Sequence, residues 1–170
     1  MINKNIKLAI IVLLFVVAIW QFYEDYIGNG IFLIFLASIV TLFYFKNEVI
    51  IMTLLKLRKQ DFDGAKQWLN KIKKPEDYLV QGQQGYFYFL SALTDIQTNL
   101  NEADRKFRKA VELGIKGDDL ALAKLNMAGV AMSRRRKLEA TNLLNEAKKL
   151  DTKNMLKEQI SQMREHLKRI

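Results

Sequence analysis

The chain has 170 residues, half of them hydrophobic, with 27 Lys and Arg against 18 Asp and Glu, a formal net charge of +9, one His and no Cys. Without thiols there is no disulfide framework, zinc-thiolate site or cysteine nucleophile, and a lone His166 builds no multi-histidine metal centre. Eight Gly and one Pro exclude collagen-like and disordered classes, and a mean hydropathy of −0.05 averages two unlike pieces that only position along the chain separates.

Residues 1–46 form the first piece, expected to be a transmembrane helical hairpin with spans at about 6–23 and 27–45. No charge occurs from Leu8 to Tyr23, and ten of the twelve residues from Leu8 to Ile19 are Leu, Ile, Val or Phe. At roughly −0.3 to −0.6 kcal/mol each on the insertion scale, they contribute about −4 kcal/mol. A second uncharged run of 20 residues, Tyr26 to Phe45, covers the ~30 Å hydrocarbon thickness at the helical rise. Trp20, Tyr23 and Tyr26 suit an interface. The glycines of the segment Glu24 to Gly30 are expected to supply the positive φ of a tight turn.

Lys4 and Lys7 precede the first span, Lys46, Lys56, Arg58 and Lys59 follow the second, and the intervening loop has neither Lys nor Arg. Both termini are therefore expected in the cytoplasm, in an integral membrane protein for which a bacterial inner membrane is favoured over other membranes. A cleaved signal peptide fits less well, because no small-x-small site follows Ile19 and a second apolar run does. Nor does a buried hairpin of a soluble protein normally carry two uncharged runs this apolar on all sides.

Past Phe45 the apolar residues become periodic, and a repeat emerges. Ala65, Ala103 and Ala140 recur at intervals of 38 and 37; four residues after each stands Leu69, Phe107 or Leu144, and seven after it Ile72, Ala110 or Ala147. These offsets keep one stripe on one helical face, and a small residue early in a second helix lets it approach a first. One such pair cannot bury its own stripe, so pairs stack. Pairs are expected at about 47–78, 84–117 and 119–151 within 47–153. A capping helix follows over 154–170, with Leu156, Ile160, Met163 and Leu167 on one face. A bundle of unrelated amphipathic helices is the rival, and it is all-α as well.

In the middle unit Phe87, Leu90, Ser91, Ala103, Phe107 and Ala110 fall on the signature spacing of the tetratricopeptide repeat, which residues 47–151 resemble. That resemblance implies an α-solenoid of about three such helix pairs, which with the N-terminal transmembrane hairpin and the C-terminal capping helix makes the expected chain all-α. The first and third units depart from it by a turn one residue shorter. The spacing exceeds the family's usual 34, a difference we ascribe to longer connections at 78–85 and 114–119.

No Gly-rich phosphate loop, GxSxG elbow or HExxH motif occurs. The pairs Glu76-Asp77 and Asp118-Asp119 read as helix starts that accept bonds from free backbone N–H groups. An enzyme is not expected, nor a metal or cofactor. The family's concave groove implies partner contacts at Tyr88, Ala92 and Asp95 in the middle unit, and at Leu122, Leu125, Gly129 and Met132 in the third. The same residues read equally as inter-repeat core. The Lys and Asn that clamp a chaperone's C-terminal carboxylate are absent, since Tyr88, Phe89 and Ala92 occupy those places.

The basic run Arg134-Arg135-Arg136-Lys137 reads first as solvated charge, with anionic lipid headgroups and RNA phosphates as rivals. Without interleaved aromatics, no specific DNA partner is expected. The hairpin carries a net +1 and the remainder +8. The chain is expected to be a membrane-anchored cytoplasmic scaffold or adaptor, an accessory subunit holding a protein partner of a membrane complex, with lipid around its hairpin. Electrostatic docking of ribosome, RNA or anionic lipid is the alternative.

Overall fold

Two long apolar runs give two long helices in the computed structural model, which describes residues 3–45 and 47–169. Lys46, part of the orientation argument, and Ile170, the end of the expected capping helix, lie outside the described residues. Helix α1 spans Lys4–Tyr23 and α2 spans Ile27–Phe45, and they pack on each other as a hairpin. Both are long and apolar enough to cross a membrane. The side chain of Asn3 caps α1 by accepting from the Asn5 N–H at 2.9 Å.

The expected glycine turn is not how the hairpin closes. Gly28 and Gly30 lie inside α2, and Asp25 takes the left-handed conformation, with φ 63°. A short polar side chain tolerates that region better than most, and the helix end is completed by the Asp25 N–H on the Phe22 carbonyl and the Tyr26 N–H on the Gln21 carbonyl. Gly30 serves another purpose: a Cβ there would lie 2.7 Å from Cζ of Phe22, so the glycine makes room for the ring.

Eight further helices follow: α3 Glu48–Arg58, α4 Phe62–Leu69, α5 Pro75–Tyr78, α6 Gln81–Asp95, α7 Leu100–Glu112, α8 Gly117–Ser133, α9 Lys137–Leu150 and α10 Lys157–Arg169. No strand occurs among the described residues. The chain divides into two compact units, residues 1–84 and 85–170.

In the first unit α3 packs on α4. The base of the hairpin is tied to this region by two lysines of α1. Lys7, only 7% exposed, donates to the Phe43 carbonyl at 3.2 Å and lies 3.4 Å from the Glu48 carboxylate. Lys4 donates to the Glu76 carbonyl in α5. One ammonium thus serves a carbonyl in the last turn of α2 and the acidic first turn of α3, both sites where helix ends favour that sign of charge.

In the second unit α8 packs on α7 and α9, and α10 lies against α9 and α8. Phe107, Leu90, Leu144 and Val130 are its largest fully buried side chains, with the Phe89 and Phe107 rings 6.1 Å apart.

Ala65, Ala103 and Ala140 are each the fourth residue of their helix, α4, α7 and α9, and each is fully buried; the residues four and seven later are buried too. The turns before α4 and α9 are one residue shorter than the four-residue turn before α7. Their middle residues, Gln60 and Arg135, have φ of 58° and 57°. The Asp61 N–H closes back on the Lys56 carbonyl, and the Arg136 N–H on that of Ala131. The connections 78–85 and 114–119 are not extended loops: residues 81–85 begin α6 and 117–119 begin α8. The wide spacing comes from the added α5 and from long first helices.

Candidate partner-binding surface

The residues assigned to the groove divide by exposure. Tyr88, Leu122 and Gly129 keep part of their surface, while Ala92, Asp95, Leu125 and Met132 are buried. Asp95 meets the Lys106 ammonium at 2.5 Å, and the same ammonium bonds the Ser91 hydroxyl at 3.0 Å. In the third pair α10 covers α8, so that a Cβ on Gly129 would lie 3.5 Å from Cε of Met163. Ala92, Asp95, Leu125 and Met132 are thus buried as inter-helix core residues would be, and α10 lies beside α8 at Gly129.

The basic run is not uniform. Arg134 reaches back to α7, 2.8 Å from the Asp104 carboxylate and 2.7 Å from the Asn101 amide oxygen. Arg136 lies 3.4 Å from Glu139. Arg108 joins both groups, 3.2 Å from Asp104 and 2.5 Å from Glu139. Arg134, Arg108 and Asp104 thus pin the turn before α9 onto α7. The Arg108 hydrogen bond, with help from Arg136, holds the Glu139 carboxyl below the usual carboxylate range, and Glu139 in turn raises Arg108. Arg135 and Lys137 are exposed and have no ion pair among the described residues.

An open cleft of about 420 Å³ lies along α7, lined by Tyr88, Arg105, Lys106, Arg108, Lys109 and Glu112. The sequence reading reached Tyr88 and missed the four cations. Their signal was the polar face left over once Ala103, Phe107 and Ala110 are assigned inward. Arg105 pairs with Glu102 at 2.6 Å, which raises the guanidinium, and Lys109 pairs with Glu112 at 3.3 Å.

Glu76 and Asp77 sit in the first turn of α5, and Asp118 and Asp119 in that of α8, but neither helix has a side-chain cap bond. These acids face the helix dipole without capping a helix. Burial and the neighbouring Asp118 push the Asp119 carboxyl up. Lys153 pairs with Asp118 at 2.6 Å, and His166 is exposed in the last turn of α10. Among the described residues no three of His, Cys, Asp and Glu converge as metal ligands.

No family model matches the chain, and neither a curated protein nor a solved structure does.

Proposed function

We propose that the protein is a membrane-anchored adaptor whose helical, tetratricopeptide-like repeat region faces the cytoplasm and holds an acidic segment of a protein partner, without catalysis. The observation that carries the anchor is exposure. Only 11% of each apolar span is buried, and residues such as Leu13 and Leu42 are 62% exposed. A soluble protein seldom shows apolar patches beyond a few hundred Å², whereas lipid covers such helices without cost. Lys4 and Lys7 before the spans, and Lys56, Arg58 and Lys59 after them, support cytoplasmic termini.

Three helix pairs with equivalent buried alanines support the repeat reading. For the partner, Tyr88 beside Arg105, Lys106, Arg108 and Lys109 offers an aromatic platform within a positive cleft, which favours carboxylates and steers their approach. Docking of ribosome, RNA or anionic lipid through residues 134–137 is the second reading, carried by Arg135 and Lys137, which are exposed and without an ion pair among the described residues.

A chain with no native cysteine makes the test clean. With Asp25→Cys, an impermeant maleimide should label intact cells; with Lys153→Cys, it should label only permeabilised ones. Release of the protein by alkaline carbonate defeats the anchor. Partners recovered in mild detergent should be lost with Arg105→Glu combined with Lys109→Glu. An unchanged set defeats the cleft.

A further inference from the structure

The cations of the α7 cleft all have carboxylate partners, and those of a second cavity do not. Where α9 gives way to α10, Lys148, Asp151, Asn154, Lys157, Ser161 and Arg164 line a cavity of about 220 Å³. Its one carboxylate, Asp151, is occupied with the backbone, accepting from the N–H groups of Met155 at 2.9 Å and Leu156 at 2.8 Å. None of Lys148, Lys157 and Arg164 has an ion pair among the described residues.

Three cations against one carboxylate leave the lining two charges positive. Arg164 is half-buried and is aimed by a hydrogen bond from its Nη2 to the Asn145 amide oxygen, 2.7 Å away on α9. One arm of the guanidinium is thereby fixed, and its other donors remain to be used. An oriented guanidinium matches two oxygens of one phosphoryl group, while flexible ammonium groups add charge with little geometric demand. The Ser161 hydroxyl and the Asn154 amide add uncharged donors. Ile160, which is buried, gives the cavity an apolar floor. The volume is many times the ~10–15 Å³ that a single water requires, so a phosphoryl group and an ester-linked portion have space.

We infer that this cavity binds a phosphomonoester, whose second ionisation near pH ~6 makes it close to a dianion at neutral pH and so balances the lining. The group is carried either by a free phosphorylated small molecule or by a lipid headgroup. The site is independent of the adaptor reading, since it shares no residue with the α7 cleft or with the hairpin.

The test uses the full chain in detergent and in nanodiscs. Calorimetry is run with inorganic phosphate and with glycerol 3-phosphate, and co-sedimentation with phosphatidylcholine bilayers with and without phosphatidic acid. The expected result is saturable binding that weakens about tenfold or more in Lys148→Gln combined with Arg164→Gln, but is unchanged in Lys149→Gln, a neighbour outside the cavity. Far-UV circular dichroism checks the fold, and the exposed Lys157→Glu gives the same readout should the double variant misfold. Binding of the soluble anions identifies a free ligand; binding only to bilayers with phosphatidic acid identifies a headgroup. Absence of saturable binding in every arm, or equal binding by cavity and control variants, overturns the inference.

Discussion

Arg134 and Arg135 are adjacent and identical, yet the fold asks opposite things of them. Arg134 neutralises Asp104, a buried carboxylate on α7. Truncating it leaves Asp104 with Arg108 alone, and Arg134→Ala should cost about 1–2 kcal/mol. Arg135 holds φ at 57° with no partner for its charge among the described residues, so Arg135→Gly should gain about 0.5–1 kcal/mol. Denaturant melts followed by helical signal check both, and equal effects from the two would contradict this division. A second residue-scale expectation concerns acid. Glu139 titrates below its ordinary value in the folded chain, chiefly through Arg108. Its contribution is complete above the unfolded value of about 4.3 and disappears as pH falls through the lower folded one. Glu139→Gln should therefore lower stability at pH 7 by under about 1 kcal/mol, as expected of a largely exposed pair. The gap to the parent should close on acidification, and melts from neutral to acid pH decide it.

At the scale of elements, the helices were legible and their joints were not. Period and apolar content mark α1, α2, α7 and α9 plainly, because burial of one face, or lipid-like apolarity all round, is written in composition. Among the described residues four joints carry a left-handed residue other than glycine, Asp25, Gln60, Arg135 and Asn154, while Gly114, φ 83°, follows α7 as the residue type most common there. Residues 81–85, with two glycines and three glutamines, read as loop. They are helix, and at Gly85 packing prevails over propensity: it is buried, and a Cβ there would sit 3.1 Å from Ile115. At the groove, sequence spacing leaves a partner face and inter-repeat core as equal readings of Leu125 and Met132, and both side chains are buried. The hairpin joint gives a test. Gly30→Ile should push Phe22 out of its seat and lower the thermal stability of the detergent-solubilised protein, and adding Phe22→Ala should recover much of the loss. Absence of any rescue would mean that Gly30 matters for another reason.

For the whole molecule, the division near residue 84 sets the experiment. The second unit has its own core of Phe107, Leu90, Leu144 and Val130, and the large exposed apolar side chains of the chain lie mostly in α1 and α2. Residues 79–170 expressed alone should be helical, monodisperse and soluble without detergent, while residues 1–84 should require it. Circular dichroism and sedimentation velocity make the comparison, and aggregation of the longer fragment would argue against an independent core.

Lys7 brings time into this picture. It lies 41 residues before Glu48, so at 5–20 residues per second a ribosome exposes it about 2–8 s before its carboxylate partner exists. In the membrane reading, the ammonium has no carboxylate partner while the first span is being oriented and meets Glu48 only after the second span has been made. The same side chain would act first as a topological signal and then as a latch, and the order of its two roles would be set by the direction of translation.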